Sequence, residues 1–268
     1  MIIIGEKING SIPSVAEAIK NRDEAFIRDL AVRQAQYGAD YIDICAGTSP
    51  SVERDTLKWL MSVVQDAVDI PLSIDSADPK AIVDVLPHAK RPGLINSASD
   101  EGGKCEIIFP VIAAGKWNCI ALTCDNNGIP TDPDVKYRVA QTLMEKAQKY
   151  GIAPERIFID PLVNSIATVP HAVTSFLEAT RNIKAAFPDV RITSGLSNIS
   201  FGMPIRKSIN LTFLVLAMSA GMDSAIMDPT SIDIRTALYA AEMLLGLDEY
   251  CVEFLDAYRE GIIGPPKQ

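Results

Sequence analysis

Read from its N-terminus, the chain sets a carboxylate or a carboxamide at the end of one short apolar run after another. The residues are Glu6 and Asn9, Asp43, Asp75, Asn96, Asp125 and Asn126, Asp160, Asn198 and Asp228. Carboxylates accept hydrogen bonds, while amides both donate and accept. Any one of these residues is what a turn or a helix cap would use. Recurring at nearly every run, they make a set rich in acceptors and short of cations. A phosphate site asks for backbone donors, Lys and Arg. A divalent metal asks for carboxylates gathered at one point, and these are spread along the whole chain. Only two histidines occur, His88 and His171, both in predicted helices away from polar clusters. A His-ligated metal or a Ser/His/Asp triad is therefore not expected.

The elements that must position these residues repeat one pattern. Apolar runs rich in Ile, Val and Leu occur at 2–5, 41–46, 72–75, 94–97, 119–124, 156–160, 191–196 and 224–228. Each is continuous rather than alternating, as buried parallel strands are. Helical spacing lies between them: Leu57, Leu60, Met61, Val64 and Val68 share one face, as do Val135, Val139, Leu143 and Ala147. Asp78-Pro79 and Asp132-Pro133 read as N-caps followed by a first-turn proline, and Gly38, Gly115, Gly151 and Gly221 stand where helices should stop. Eight strand–helix units at roughly 30-residue spacing predict a single-domain (β/α)8 TIM barrel over 1–268, with a short helix and a Pro-containing tail from about 248. The competing open, doubly wound sheet places GxGxxG after its first strand, and Gly5-Glu6-Lys7-Ile8-Asn9-Gly10 is not that motif. In a barrel the strand ends form one rim, which turns a scattered list of residues into a ring.

Composition narrows the class. The chain has 268 residues, 48% of them hydrophobic and 22% charged, with a net charge of −9. The dispersed acidic excess argues against nucleic acid or an anionic membrane as the main partner. The apolar start, Met1 to Ile4, is too short for a signal peptide, and no run reaches spanning length, so a cytoplasmic protein is expected. Five cysteines show neither a CxxC pair nor zinc spacing and are read as free thiols. Cys45 and Cys124 fall late in predicted strands, where they either line a site or pack in the core.

A ring of acceptors and amides suits a flat, neutral, nitrogen-rich heterocycle. A pterin fits: its 2-amino group and N3–H form a donor edge that one carboxylate accepts in bidentate fashion. Here the residues also resemble a known family. Ile4-Gly5-Glu6-Lys7-Ile8-Asn9-Gly10, Ile74-Asp75-Ser76, Ile95-Asn96-Ser97, Ile159-Asp160-Pro161-Leu162, Gly195-Leu196-Ser197-Asn198-Ile199-Ser200 and Gly221-Met222-Asp223-Ser224-Ala225-Ile226 are similar to strings of the pterin-binding methyltransferases. Among these the likeness is strongest to enzymes acting between methyltetrahydrofolate and a corrinoid protein. The resemblance runs through essentially the whole chain, in order.

It implies methyl transfer between N5 of a tetrahydrofolate and the cobalt of a protein-bound corrinoid, in either direction. Asp75, Asn96 and Asp160 would hold the pterin edge and Asn198 would stand beside N5. Gly195 and Ser197 would shape the slot, and Arg206 would lie near the outer part of the folate or the partner. Glu6 and Asp43 would support the site from behind, although Glu6 can equally brace Lys7 or a rim amide. Lys7 stands where some relatives carry Arg. The substrate would be tetrahydrofolate or 5-methyltetrahydrofolate, with the corrinoid (cobalamin) on a separate carrier protein, since no DxHxxG signature is present. No bound metal is expected, and a homodimer is, with the apolar faces of 205–219 and 231–246 as its candidate contacts. Three alternatives stay open: dihydropteroate synthase, whose characteristic first loop is replaced here by Asn9-Gly10-Ser11-Ile12-Pro13-Ser14; a metal-dependent lyase or aldolase using Glu6, Asp43 and Asp75; and a folate-binding module without turnover.

Overall fold

Every one of the eight apolar runs becomes a parallel strand in the computed structural model, which describes residues 1–265. The strands are β1 (Ile2–Asn9), β2 (Tyr41–Cys45), β3 (Leu72–Asp75), β4 (Leu94–Ser99), β5 (Asn118–Leu122), β6 (Ile157–Asp160), β7 (Arg191–Ile192) and β8 (Ser224–Met227). They pair in the order β7-β6-β5-β4-β3-β2-β1-β8. Between β7 and β8 the ring closes through the extension of β7: the Ile226 N–H donates to Ser194 O at 2.9 Å, and Gly195 bridges Ile226. The result is the (β/α)8 barrel that the spacing predicts.

The helices alternate with the strands: α1 (Pro13–Asn21), α2 (Glu24–Gln36), α3 (Pro50–Ala67), α4 (Pro79–Val85), α5 (Lys104–Ala114), α6 (Pro133–Lys149), α7 (Ala172–Ala186), α8 (Arg206–Ala220), α9 (Ile232–Leu244) and α10 (Val252–Glu260). The caps do what their residue types dictate. Asp78 accepts from the Lys80 N–H, and Asp132 accepts from the N–H groups of Asp134 and Val135. The short C-terminal helix is α10; of the Pro-containing tail, residues 266–268 lie outside the described residues. Among the described residues no helix is long and apolar enough to cross a membrane.

Strand side chains alternate between faces, so period two decides what the barrel encloses. Ile4, Leu94, Ile120 and Phe158 meet inside it as a closed plug, backed by Ile2, Tyr41, Leu122 and Ile226. The opposite faces, with Ile3, Ile42, Ile44, Ile95 and Ile159 among them, pack against the helices in one large cluster. Ile42, Ile44, Ile95 and Ile159, fully buried, each contribute about 1.5–3 kcal/mol. Two residues beyond the plug on the same inward face come Glu6, Asp43, Asn96, Leu122, Asp160 and Asp228, with Asp75 joining them two past Ser73. The polar ring is the next layer above an apolar floor.

Boundaries differ from the expectation where the backbone bends. β1 runs on past 5 to Asn9, because an irregularity between Gly5 and Ile8 lets Ile8 and Asn9 pair again with Ile44 and Cys45. β7 is only Arg191–Ile192, since the chain leaves the sheet after Gly195 to make a 3₁₀ turn, Leu196–Ser200. Asp43 and Asn96 lie within β2 and β4 rather than at their ends, and Asn198 stands on the turn that follows β7.

Candidate functional site

The floor of the site is a hydrogen-bonded relay from β2 to β3 and β4. Asp43 Oδ1 accepts from Ser73 Oγ at 2.5 Å and from Asn96 Nδ2 at 3.2 Å. Desolvation by burial, then the charge of Asp75, pushes the Asp43 carboxyl well above the ordinary carboxylate range. The contact to Asp43 fixes the Asn96 amide with its NH2 group downward, which leaves Oδ1 and the second N–H to whatever enters from above. A cis peptide bond follows, between Asn96 and Ser97. Asp75, beside this relay, is pushed up to about 6 mainly by burial, while the Cys45 thiol donates a hydrogen bond to it. Burial first, then the charge of Asp75 and that bond, hold the Cys45 thiol above its ordinary range.

Asp160 ends β6 on the far side of the mouth and is 4% exposed. Its Oδ1 accepts from the Leu162 N–H at 2.7 Å, and the Gly195 N–H also donates to it. Burial still outweighs these bonds and the nearby charge of Lys136, and its pKa is raised to about 7. This carboxyl is held in one orientation and is poised to gain or lose a proton near neutral pH.

The third wall is the Leu196–Ser200 turn that carries Asn198. A Cβ on Gly195 would come within 2.8 Å of Asn198 Nδ2, so glycine there is what lets the Asn198 side chain fold back against the backbone. The turn is clamped from α8: Arg206 Nε donates to Ser200 Oγ at 3.0 Å, and a terminal guanidinium nitrogen donates to Ser197 O at 2.9 Å. The loop before α7 holds it as well. The Ile166 N–H donates to Ile199 O at 3.0 Å, and Ser165 Oγ donates to Phe201 O at 2.6 Å. On the inner side Ser197 hydrogen-bonds Glu6, whose carboxyl is raised to about 7 by burial first and the charge of Asp228 second. Lys7 and Arg206 act in the opposite sense on Glu6, and Lys7 is itself paired with Asp228 at 3.2 Å.

Glu6, Asp43, Asp75, Asn96 and Asp160 thus share one inward layer, linked to the Gly195–Asn198 turn through Ser197 on Glu6 and Gly195 on Asp160, with Arg206 behind the turn and two of its guanidinium nitrogens committed to it. Three of the strand-end residues stand apart. Asp125 binds Asn127 in its own loop, Asn126 Oδ1 accepts from the Gly102 N–H, and Asn9 Oδ1 accepts from the Ser11 N–H. They are turn residues. Cys124 is buried, His88 closes a short 3₁₀ turn, and His171 precedes α7. Among the described residues no three His, Cys, Asp or Glu side chains gather as metal ligands would. Sequence reasoning missed Ser73, the Cys45–Asp75 contact and above all Lys136, a lysine with no solvent exposure in the first turn of α6. Its signal was a cation three residues past Pro133 of an Asp-Pro cap, near a helix N-terminus where the dipole favours carboxylates.

Comparison with known proteins agrees with this geometry. A family model described as "Pterin binding enzyme" matches residues 6–228. The methylcorrinoid:tetrahydrofolate methyltransferase of Eubacterium limosum is 49% identical over 267 residues, covering 99% of this chain and 98% of that protein. The methionine synthase of Mycobacterium tuberculosis is 30% identical over 248 residues, 87% of this chain but 21% of that longer protein. Among solved structures, a dihydropteroate synthase from Coxiella burnetii in complex with pteroic acid superposes with a TM-score of 0.64 at 16% identity, covering 92% of this chain and 93% of that one. One from Xanthomonas albilineans in complex with 7,8-dihydropteroate gives 0.62 at 17% identity, covering 91% and 92%. At those identities the likeness is one of fold. With a family model spanning the barrel from Glu6 to Asp228 and a relative aligned nearly end to end, the chain belongs to the pterin-binding enzymes.

Proposed function

We propose that this protein transfers a methyl group between N5 of a tetrahydrofolate and the cobalt of a corrinoid carried by a separate protein. The observation that carries the reading is the inward ring of Asp75, Asn96 and Asp160 beneath Asn198, in a chain 49% identical to a methylcorrinoid:tetrahydrofolate methyltransferase. Asp75 and Asp160 accept from the N–H groups of the pterin, and Asn96, oriented by Asp43, offers an acceptor and a donor to its edge. Asn198 faces N5, and Gly195 and Ser197 border the slot. Arg206 acts first as the clamp of that turn and second toward the outer part of the folate.

Transfer is a backside displacement, in which alignment of N5, methyl and cobalt supplies much of the rate. Towards cobalt, the Co(I) electron pair forms the Co–C bond as the C–N5 bond breaks, and N5 keeps that pair. An amine leaves poorly unless N5 is protonated or strongly hydrogen-bonded, and Asn198 donates without giving up a proton. Towards folate, the N5 lone pair attacks the methyl group, the Co–C electrons return to cobalt, and N5 afterwards loses its proton. Proton traffic runs through solvent or ordered water, with Asp160 and Glu6, both at about 7, as the carboxyls of the ring able to exchange protons near neutral pH. The same residues serve both directions.

The carrier protein docks over the rim, where Phe201 and Ile205 stand 72% and 77% exposed beside the Asn198 turn. A second copy of the chain pairs through the apolar face of α8, where Leu216 and Ile209 border a groove with Val173 of α7. The test of the activity is spectroscopic: cob(I)alamin with methyltetrahydrofolate, then methylcobalamin with tetrahydrofolate. Turnover that disappears in Asn198→Ala supports the reading. Tight folate binding without turnover, even with a corrinoid protein present, would make the barrel a binder only.

A further inference from the structure

Lys136 is expensive where it stands. It has no solvent exposure, and burying an ammonium costs several kcal/mol even after relaxation. It also puts a cation at the N-terminus of α6, where the helix dipole disfavours it. A methionine would fill the same space without either cost, so packing does not account for the charge. Its contacts do. Lys136 Nζ donates to Leu162 O at 2.7 Å. Leu162 is in the left-handed region (φ 55°), a strained conformation for a leucine that points its N–H one way and its carbonyl another. The N–H goes to Asp160 Oδ1 at 2.7 Å, and the carbonyl goes to Lys136.

We propose that Lys136 is a positioning residue for the pterin site: by pinning the Leu162 turn and setting a buried positive charge beside Asp160, it keeps that carboxyl aimed at the ligand and favours its ionised form. The proposal rests on Asp160 being a pterin acceptor. The charge that bears on Asp160 comes from α6, as Lys136; the Asp132 and Asp134 side chains of the same turn are exposed. The other packed elements offer neutral groups, namely the N–H groups of Leu162 and Gly195 and, on the β5 side, Leu122 and the Thr123 N–H that donates to Asp160 O. Burial draws Lys136 itself down to about 8, so its influence fades above that pH.

The experiment is anaerobic calorimetric titration with tetrahydrofolate from pH 6 to 9, on the native protein, Lys136→Met, Lys136→Gln and Asp160→Asn. Removing an opposite charge raises a carboxyl pKa by about one unit or more, so the acid limb of binding should move up by that much in Lys136→Met. At a pH below the limb this reads as about ten-fold weaker binding, closing towards the native value above about pH 8. Lys136→Gln, which keeps a donor for Leu162 O, should show the same displacement, and it carries the test if Lys136→Met does not fold. A limb that stays at the native pH in Lys136→Gln, or a loss uniform in pH, overturns the proposal. If Asp160→Asn binds like the native protein throughout, the assignment of Asp160 has failed instead, and that result does not depend on Lys136.

Discussion

The apo barrel should be destabilised by the buried carboxylates proposed to bind the pterin, and Asp160 gives the sharpest case. Its pKa is raised from the ordinary 3.8 to about 7 because burial disfavours the charged form. A folded-state pKa above the unfolded one means that the native protein binds the extra proton. The associated stability is present below the unfolded pKa and is lost as pH rises through about 7. About three units at about 1.4 kcal/mol each give a ceiling near 4 kcal/mol at pH 8, of which about 2 to 3 kcal/mol returns on acidification to pH 5. Asp160→Asn mimics the protonated acid, and its amide oxygen can still accept from the Leu162 N–H. Urea unfolding of the apo protein at pH 5, 6, 7 and 8 should therefore show the variant more stable than native at pH 8, with the gap narrowing towards pH 5. Taking the difference between the two proteins cancels the titration of groups that do not sense Asp160; Lys136, which does, titrates near 8 and affects chiefly the most alkaline point. A variant less stable than native at pH 8, or a gap independent of pH, would refute the reasoning and place Asp160 in a solvated setting. The same variant should lose tetrahydrofolate affinity, the usual opposition between stability and function in a binding site.

Three further outcomes follow from the site. Asn198→Ala should lower methyl transfer to or from free cobalamin by about one to three orders of magnitude, read by stopped-flow absorbance, with tetrahydrofolate affinity changed far less. Asp75→Ala should weaken folate binding by about 1–3 kcal/mol in calorimetry, because pterin donors are left without their acceptor. Phe201→Glu should slow transfer with a corrinoid carrier protein more than transfer with free cobalamin; equal loss in both would place Phe201 in the pterin slot rather than on a docking surface.

Much of this architecture is legible in the residues. The strands are, because a parallel strand packed on both faces must be apolar almost throughout, and runs such as Leu72–Ile74 and Ile157–Ile159 have no other use. The caps at Asp78 and Asp132 are legible because their chemistry is local. Asp75 and Asp160 stand out as polar endings to such runs. Asp125 and Asn126 look the same in sequence and are turn residues, because whether a loop folds over the mouth or back on itself depends on partners such as Gly102. Lys136 is only partly legible for a related reason: a cation near the α6 N-terminus is locally unusual, but whether it reaches solvent or a carbonyl 26 positions later depends on the assembled barrel.

By itself, then, the order of residues determined the class of fold, the inward acceptors and the pterin-binding character, since all three follow from period, residue type and motif along a single strand or turn. The tertiary structure alone decided which acceptors are spent and which remain. Closing the ring brings Ser73 and Asn96 onto Asp43, Cys45 onto Asp75, Ser197 onto Glu6, and Lys136 with Leu162 onto Asp160. It also removes these carboxyls from water, and that desolvation, a property of the assembled barrel and of no segment of it, moves Glu6 and Asp160 to the edge of ionisation near neutral pH.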